Sequence, residues 1–375
     1  MNWIKSNSLL LCFLAVALCI AAWKFKNFAV LMLGITTLSV SIGVVVRRFS
    51  VVTIPVTFSL IALTFVEFVL PVFISSDRNG FVYNDPKSGF TNGYHQRVQG
   101  FGHLPTPGPH SSRRLTRDGD VVYDVIYSIG SDGYRKERPD QIHSVHIYGG
   151  SYTFGEGLSD DETLIHYMLK DHDVSAKSVG VHGYGLHQAL YNITNGLTSV
   201  DGVNVLLTFP SHALRSNCKV SYAAGTPKYE LDNGLAKLVG TCFGGGLVSR
   251  VLSYSAIADL VSKYVFRLEG GITDDDIELY LGIFRSIASE THRYNSKLVV
   301  AFINAGEDQL RFTTWTNEAL QEEMQKIADG FVDVSLVDQI GMLDSKYYLH
   351  FYDRHPSALA NSERAKLIAE SLSQF

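Results

Sequence analysis

The chain has 375 residues, a hydrophobic share of 46% and a formal net charge of −5. That length and apolar content allow two domains and a sizeable core. The mild charge, with no Lys/Arg block, leaves no electrostatic footprint for nucleic acid, and no nucleic-acid partner is expected.

Apolar residues crowd the N-terminus. "SNSLLLCFLAVALCIAAW" separates Lys5 from Lys24, and "NFAVLMLGITTLSVSIGVVV" runs from Asn27 to Val46 before Arg47 and Arg48. "FSVVTIPVTFSLIALTFVEFVLPVFISS" then reaches Ser76 with Glu67 as its one charge. A spanning helix needs about 20 apolar residues, so residues 1–76 read as a membrane anchor of three transmembrane helices. A signal peptide would account for the first run alone, but two more follow and no small-x-small cleavage site precedes a globular start. Pro55 and Pro71 are tolerated as kinks, and Glu67 needs a polar neighbour or an interfacial position. Lys5, Arg47 and Arg48 then share one side of the membrane, and Lys24, Lys26 and Arg78 the other. The positive-inside bias places the N-terminus in the cytoplasm, with the chain after Ser76 outside it.

From Asp77 to Gln141 the composition turns to Gly, Pro, His and Tyr, as in "GFTNGYHQRVQGFGHLPTPGPHSS". Alternation in "DVVYDVIYSI" predicts a strand, and Ser131-Asp132-Gly133 a turn. Residues 77–141 read as a connector that packs on the main domain, 142–375.

In that domain short apolar runs alternate with helical patterns. "SVHIYGG", "VSAKSVGV" and "VNVLLTFP" predict strands, with helices over "DETLIHYMLKDH" and "LHQALYNITNGL" between them. Residues 216–273 interrupt as an insertion. "DDDIELYLGIFRSIASETHRY" resumes as a helix, with Thr273 as N-cap and Asp274-Asp275-Asp276 in its first turn. "KLVVAFI" and "VDVSLVD" are strands; "TNEALQEEMQKIADG" and "SALANSERAKLIAESL" are helices. This alternation predicts an α/β fold with a parallel sheet covered on both faces, in three layers.

Cys12 and Cys19 fall in the first apolar run as packing residues. Cys218 and Cys242 share one polar segment of the insertion. A bridge in an oxidising compartment and two partly buried free thiols both fit them. His143 and His146, three apart on a strand, point to opposite faces and make no metal site. The chain has no zinc spacing, P-loop, dinucleotide fingerprint, HExxH or G-x-S-x-G motif, so neither metal nor cofactor is expected.

Ligands of parallel α/β sheets sit at the carboxyl ends of the strands. Three such ends are "GGSYTFGEG" (149–157), "GVHGYG" (180–185) and "FPSHALR" (209–215), and they should share one edge. "YDRHPSALAN" (352–361) places Asp353 and His355 in a loop before the last helix. A serine hydroxyl needs a base to attack a carbonyl. Ser151 is the candidate nucleophile, His355 the candidate base, and Asp353 the group that would orient it. Taken singly, these pieces also read as a helix cap, a tight turn and a loop; their joint order along an α/β pattern singles them out.

The three blocks resemble those of the SGNH hydrolase superfamily, the GDSL-type esterases. "GGSYTFGEG" is similar to the family's GDS-x-T-x-G block, "GVHGYG" to its glycine block and "DRHP" to its DxxHP block. More narrowly, "YSIGSDGYR", "SYTFGEGLSDDET" and "GYGLHQAL" resemble a bacterial membrane-anchored branch. The resemblance covers about residues 120–375. It implies a flavodoxin-like three-layer domain, Ser151, His355 and Asp353 as catalytic residues, and an oxyanion hole from Ser151, Gly183 and His212. It further implies an acylated glycan or other ester as substrate, hydrolysis or acyl transfer, and a place at the bacterial inner membrane. The C-terminal domain would be periplasmic, with envelope proteins as partners of the spans. Three positions depart from the family's pattern. Gly150 replaces an acidic residue, Asp353 and His355 are one residue closer than usual, and His212 stands where an Asn is the rule. A neutral His212 could donate Nε2–H to an oxyanion, touch substrate, or be a buried histidine with a local partner. The rival reading, a binding or assembly protein that keeps the fold without the chemistry, rests on Gly150 and His212.

Overall fold

The structure, a computed structural model, describes residues 33–37, 58–66, 89–91, 93–116, 119–136, 143–223, 225–242, 271–336, 345–351 and 353–375. The chain divides into two units, Met1–Ser75 with Gly246–Phe266, and Ser76–Gly245 with Arg267–Phe375. In the first unit the described residues are two helical stretches, 33–37 and 58–66. Thr64 Oγ1–H donates to the Leu60 carbonyl at 2.6 Å. The Thr36 and Thr64 hydroxyls are themselves hydrogen-bonded, at 3.3 Å. Among the described residues no helix is long and apolar enough to cross a membrane. Apart from these two stretches, the three spans expected over 1–76 lie outside the described residues.

The second unit is built on five parallel strands: β1 (Val145–Gly149), β2 (Ala176–Gly180), β3 (Val203–Thr208), β4 (Lys297–Phe302) and β5 (Gly330–Asp333). Their order is β5-β4-β3-β1-β2, the doubly wound, flavodoxin-like order. Side chains alternate between the two faces of a strand, and both faces are covered. Val145, Ile147, Val205, Leu207, Val299 and Ala301 pack with Leu164, Met168, Ala365 and Ile368 of α1 (Leu164–His172) and α5 (Ala358–Leu372). Tyr148, Leu206, Leu298, Val300 and Phe302 pack with α2 (Leu186–Thr194) and α3 (Asp274–Arg293). The α/β, three-layer expectation holds for this unit.

The predicted cap forms. Thr273 opens α3, with Asp276 Oδ2 accepting from its N–H at 2.9 Å. Asp276 is fully buried and pairs with Lys219 Nζ at 2.7 Å, while Asp274 accepts from the Thr314 N–H at 2.7 Å. The acidic run therefore anchors two neighbouring segments as well as matching the helix dipole. Ser357 Oγ accepts from the Ala360 N–H at 3.3 Å and starts α5 immediately after Pro356.

Strand pairing sets the edge that matters. Gly149 lies opposite Gly180, and Tyr148 opposite Leu206, so β3, β1 and β2 end side by side. The segment before β1 contributes an antiparallel sheet of 89–90, 108–115 and 121–129, and a hairpin of 95–98 with 102–105. In the expected insertion, 227–232 pairs with 235–241. Cys218 and Cys242 are joined in a disulfide, which decides between the two readings of those cysteines. Asp353 and His355 were expected in a loop. Instead they lie in a short strand, 353–356, antiparallel to 348–350; backbone bonds to that partner strand hold extended a segment whose own sequence carries only a turn signal.

Candidate active site

Ser151 follows β1 directly and begins a single helical turn, 151–154. The preceding residue has to be glycine because of what surrounds it. A Cβ on Gly150 would stand 2.8 Å from Arg215 Nη1, 2.9 Å from the Tyr184 carbonyl oxygen and 3.4 Å from His212 Nε2. The acidic side chain missing from this position has no room here, since Arg215 and His212 fill the space.

The structure brings Ser151, His355 and Asp353 together. The Ser151 Oγ–H and His355 Nε2 are 2.9 Å apart, and the Asp353 carboxylate accepts from His355 Nδ1–H at 2.5 Å. The short Asp–His spacing follows from the extended backbone: residues i and i+2 of a strand present their side chains on one face. Asp353 Oδ1 also accepts the His355 backbone N–H at 3.1 Å. Its other oxygen takes Arg114 Nη1 at 2.7 Å. Burial opposes the Asp353 charge, but the His355 hydrogen bond and the charges of His355 and Arg114 outweigh it and hold the carboxyl below its ordinary value.

A second carboxylate, not anticipated from the sequence, completes the group. Glu156 lies between Gly155 (φ +80°) and Gly157 (φ +81°), both in the left-handed region that favours glycine. These two turns fold it back so that its Oε2 is 3.3 Å from His355 Nε2. The same carboxylate accepts from His182 Nδ1–H at 2.7 Å. His182 Nε2 is in turn 2.8 Å from the Tyr94 hydroxyl, and burial foremost keeps Tyr94 protonated. Burial opposes the Glu156 charge, yet the charges of His355, His182 and Arg114 and the His182 hydrogen bond hold it ionised. For His355, burial favours the neutral ring; the Glu156 charge, then the Asp353 bond and charge, overcome this and raise its pKa above 6.5. Arg114 and Tyr94 come from the segment read as a connector, so that segment supplies side chains to the site.

Gly183 and His212 stand at the neighbouring strand ends. Among the described residues, neither the Ser151 nor the Gly183 N–H has an acceptor. Tyr222 covers Gly183, its ring 2.9 Å from where a Cβ would be. His212 is fully buried, and burial foremost, with the Arg215 charge, keeps it neutral. Its Nδ1 is 3.0 Å from Thr208 Oγ1, which is 2.8 Å from the Tyr280 hydroxyl. Two proton orders satisfy this chain: Tyr280 donates to Thr208 and Thr208 to His212 Nδ1, or His212 Nδ1–H donates to Thr208 and Thr208 to Tyr280. Nε2 is a buried atom with no partner among the described residues, on the side of Gly150. In the first order the neutral His212 carries its hydrogen on Nε2, a donor facing the residue before Ser151.

Glu156 lies within the same glycine-rich block as Ser151, and a glutamate between two glycines there is the signal that could have exposed it. Arg114, His182 and Arg215 carry no such mark.

No family model matches the sequence, and no curated protein matches it. Solved structures similar to it include a protein assigned to the lipolytic G-D-S-L family from Desulfitobacterium hafniense DCB-2, at 10% identity and TM-score 0.36, covering 61% of this chain and 99% of that one. A member of the lipolytic protein G-D-S-L family from Veillonella parvula DSM 2008 is similar at 13% identity and TM-score 0.34, covering 62% and 98%. An acetyl xylan esterase from Butyrivibrio proteoclasticus is similar at 11% identity and TM-score 0.33, covering 65% and 66%. At these identities and TM-scores nothing about their activities passes to this chain, whose own sheet order and site geometry define it.

The Glu156 contact has a measurable consequence if His355 acts as a base, which it does only when neutral. Because its pKa is raised, the acidic limb of kcat/KM should have its midpoint above pH 6.5. Glu156→Gln removes the largest raising charge, so the limb should move to lower pH. A limb that stays in place in a folded variant would show that the two groups are not coupled.

Proposed function

We propose that the chain is a serine-dependent O-acyl esterase or acyltransferase of the SGNH type. The observation that carries this reading is the Ser151–His355–Asp353 line, with 2.9 Å from Oγ to Nε2 and 2.5 Å from Nδ1 to the carboxylate. In the proposed reaction Ser151 Oγ attacks an ester carbonyl while its proton passes to His355 Nε2. The ester C–O bond then breaks, and His355 returns the proton to the leaving alcohol. Water or a sugar hydroxyl next attacks the acyl-enzyme, His355 takes that proton, and Ser151 leaves with it. Asp353 holds the imidazole in the Nδ1–H tautomer and favours the transient imidazolium. The negative charge on the carbonyl oxygen is met by the Ser151 and Gly183 N–H groups and by His212 Nε2–H. His212 supplies there the one side-chain hydrogen bond that an Asn amide would otherwise give.

The substrate in this reading is an acylated cell-surface glycan, and the protein is held in a bacterial inner membrane by spans within residues 1–76, with the second unit in the periplasm. Three long apolar runs in the sequence, two uncharged and one with Glu67 alone, support the anchor. The threonine bond between 33–37 and 58–66 is the kind of polar contact that joins helices in lipid. The Cys218–Cys242 disulfide supports an oxidising compartment. Partners within the envelope would meet the spans.

Wild-type protein should label with a fluorophosphonate probe and Ser151→Ala should not; an unlabelled, folded wild type would remove the serine-hydrolase reading. His212→Ala should lower kcat by about 10²–10³-fold, as loss of an oxyanion donor does, with KM little changed. An unaltered kcat would assign the oxyanion to the backbone alone. A reporter active only outside the cytoplasm, fused after Phe375, should be active; activity of its cytoplasmic counterpart instead would overturn the placement.

A further inference from the structure

Ser151 lies between charges of opposite sign. On the His355 side is Glu156, compensated by His182 and Arg114. On the His212 side is Arg215, and among the described residues it has no carboxylate partner. Arg215 Nη1 donates to the Tyr184 carbonyl at 2.6 Å, which fixes the guanidinium against the Gly183 loop. The Phe209 ring centroid is 5.4 Å from the guanidinium carbon and that of Tyr222 is 5.8 Å away. Arg114 and Arg135, by contrast, each pair with an aspartate, Asp353 and Asp160.

A half-buried guanidinium has lost part of its water and gains most from a carboxylate, which its planar fork can bind through two parallel bonds. One bond to a neutral carbonyl leaves the rest of that fork unused. Its position is equally specific, since Nη1 reaches the peptide immediately before the nucleophile and touches the space a side chain at 150 would take. Loss of that side chain is what admits the cation. An ester seated with its carbonyl at Ser151 therefore has a fixed positive group beside one substituent and a negative one, Glu156, beside the other.

Resting on the esterase reading above, we infer that Arg215 selects an ester bearing a carboxylate close to the reacting carbonyl. The carboxylate pairs with the free edge of the guanidinium, and Phe209 and Tyr222 form the walls beside it. It belongs either to the acyl group, as in a dicarboxylic hemiester, or to the alcohol, as in an O-acylated uronic acid.

Two matched pairs test this with the full-length protein: 4-nitrophenyl hemisuccinate against 4-nitrophenyl butyrate, and O-acetyl glucuronate against O-acetyl glucose. The wild type should favour the acidic member of one pair by about tenfold or more in kcat/KM, the scale of one hydrogen bond to a charged group. The pair showing the preference locates the carboxylate. The preference should shrink as salt is raised, fall to near one in Arg215→Met and persist in part in Arg215→Lys. Using the acid-to-neutral ratio cancels any general loss of activity in the variants, and the salt series on the wild type stands if Arg215→Met fails to fold. Turnover of neutral esters with no acidic preference in either pair, or a preference that survives Arg215→Met, overturns the inference and leaves the esterase intact. Absence of both turnover and fluorophosphonate labelling overturns the esterase reading and this inference with it.

Discussion

A carboxylate that is 3% exposed has to be neutralised where it stands, and the arrangement around Asp353 is built on that constraint. One oxygen is taken by His355 through both its ring and its backbone, and the other by Arg114. Arg114 belongs to the sheet that precedes the α/β core, and Asp353 to the last hairpin before α5. One ion pair thus ties the first and last described parts of the unit together across the edge where β1 ends. Removing the arginine would leave a buried charge short of a partner, with a cost that falls on both the fold and the orientation of His355.

The site has two layers of charge control. Asp353 faces Nδ1 of His355, and Glu156 faces Nε2. His355 is pushed toward protonation from both ring nitrogens, with burial and Arg114 opposing. His182 and Tyr94 extend from Glu156 into an aromatic cluster with Phe90, Tyr127 and Phe154. The opposite wall is made differently. His212 is neutral and bonded through Nδ1 to Thr208, which reaches Tyr280, with the Arg215 cation beside it. In the proposed reaction, proton transfer belongs to the first wall and charge stabilisation to the second.

Much of this was legible beforehand, because strands and helices of a doubly wound sheet announce themselves by period and by the residues that stop them. Val145–Gly149 and Lys297–Phe302 read as buried strands, and Thr273 and Ser357 mark helix starts. The segments that carry Ser151, Gly183 and His212 followed from one rule about strand ends, and the resemblance singled out Gly183 and His212 within them. What stayed hidden depended on long-range folding. Arg114 lies 239 positions from Asp353, and no local pattern distinguishes it from other exposed-strand arginines. Glu156 was not singled out, because its direction is set by two backbone turns, at Gly155 and Gly157. His212 was recognised as a departure, but its bond to Thr208 and on to Tyr280 was hidden, because Tyr280 reads from sequence as one more apolar residue of α3. The hairpin under Asp353 was read as loop because Asp, Arg and Pro carry turn signals, and only the pairing with 348–350 overrides them.

That hairpin restricts how the chain can change. With both residues on one strand, their separation is counted in steps of two, and any odd step sends one side chain to the far face. A single inserted residue between Asp353 and His355 would therefore invert the pair instead of loosening it. Passing from this spacing to a longer one would require the strand to be given up as well, two changes that help only when made together. The compact Asp–His motif behaves as a discrete alternative, separated by a gap from its longer counterpart.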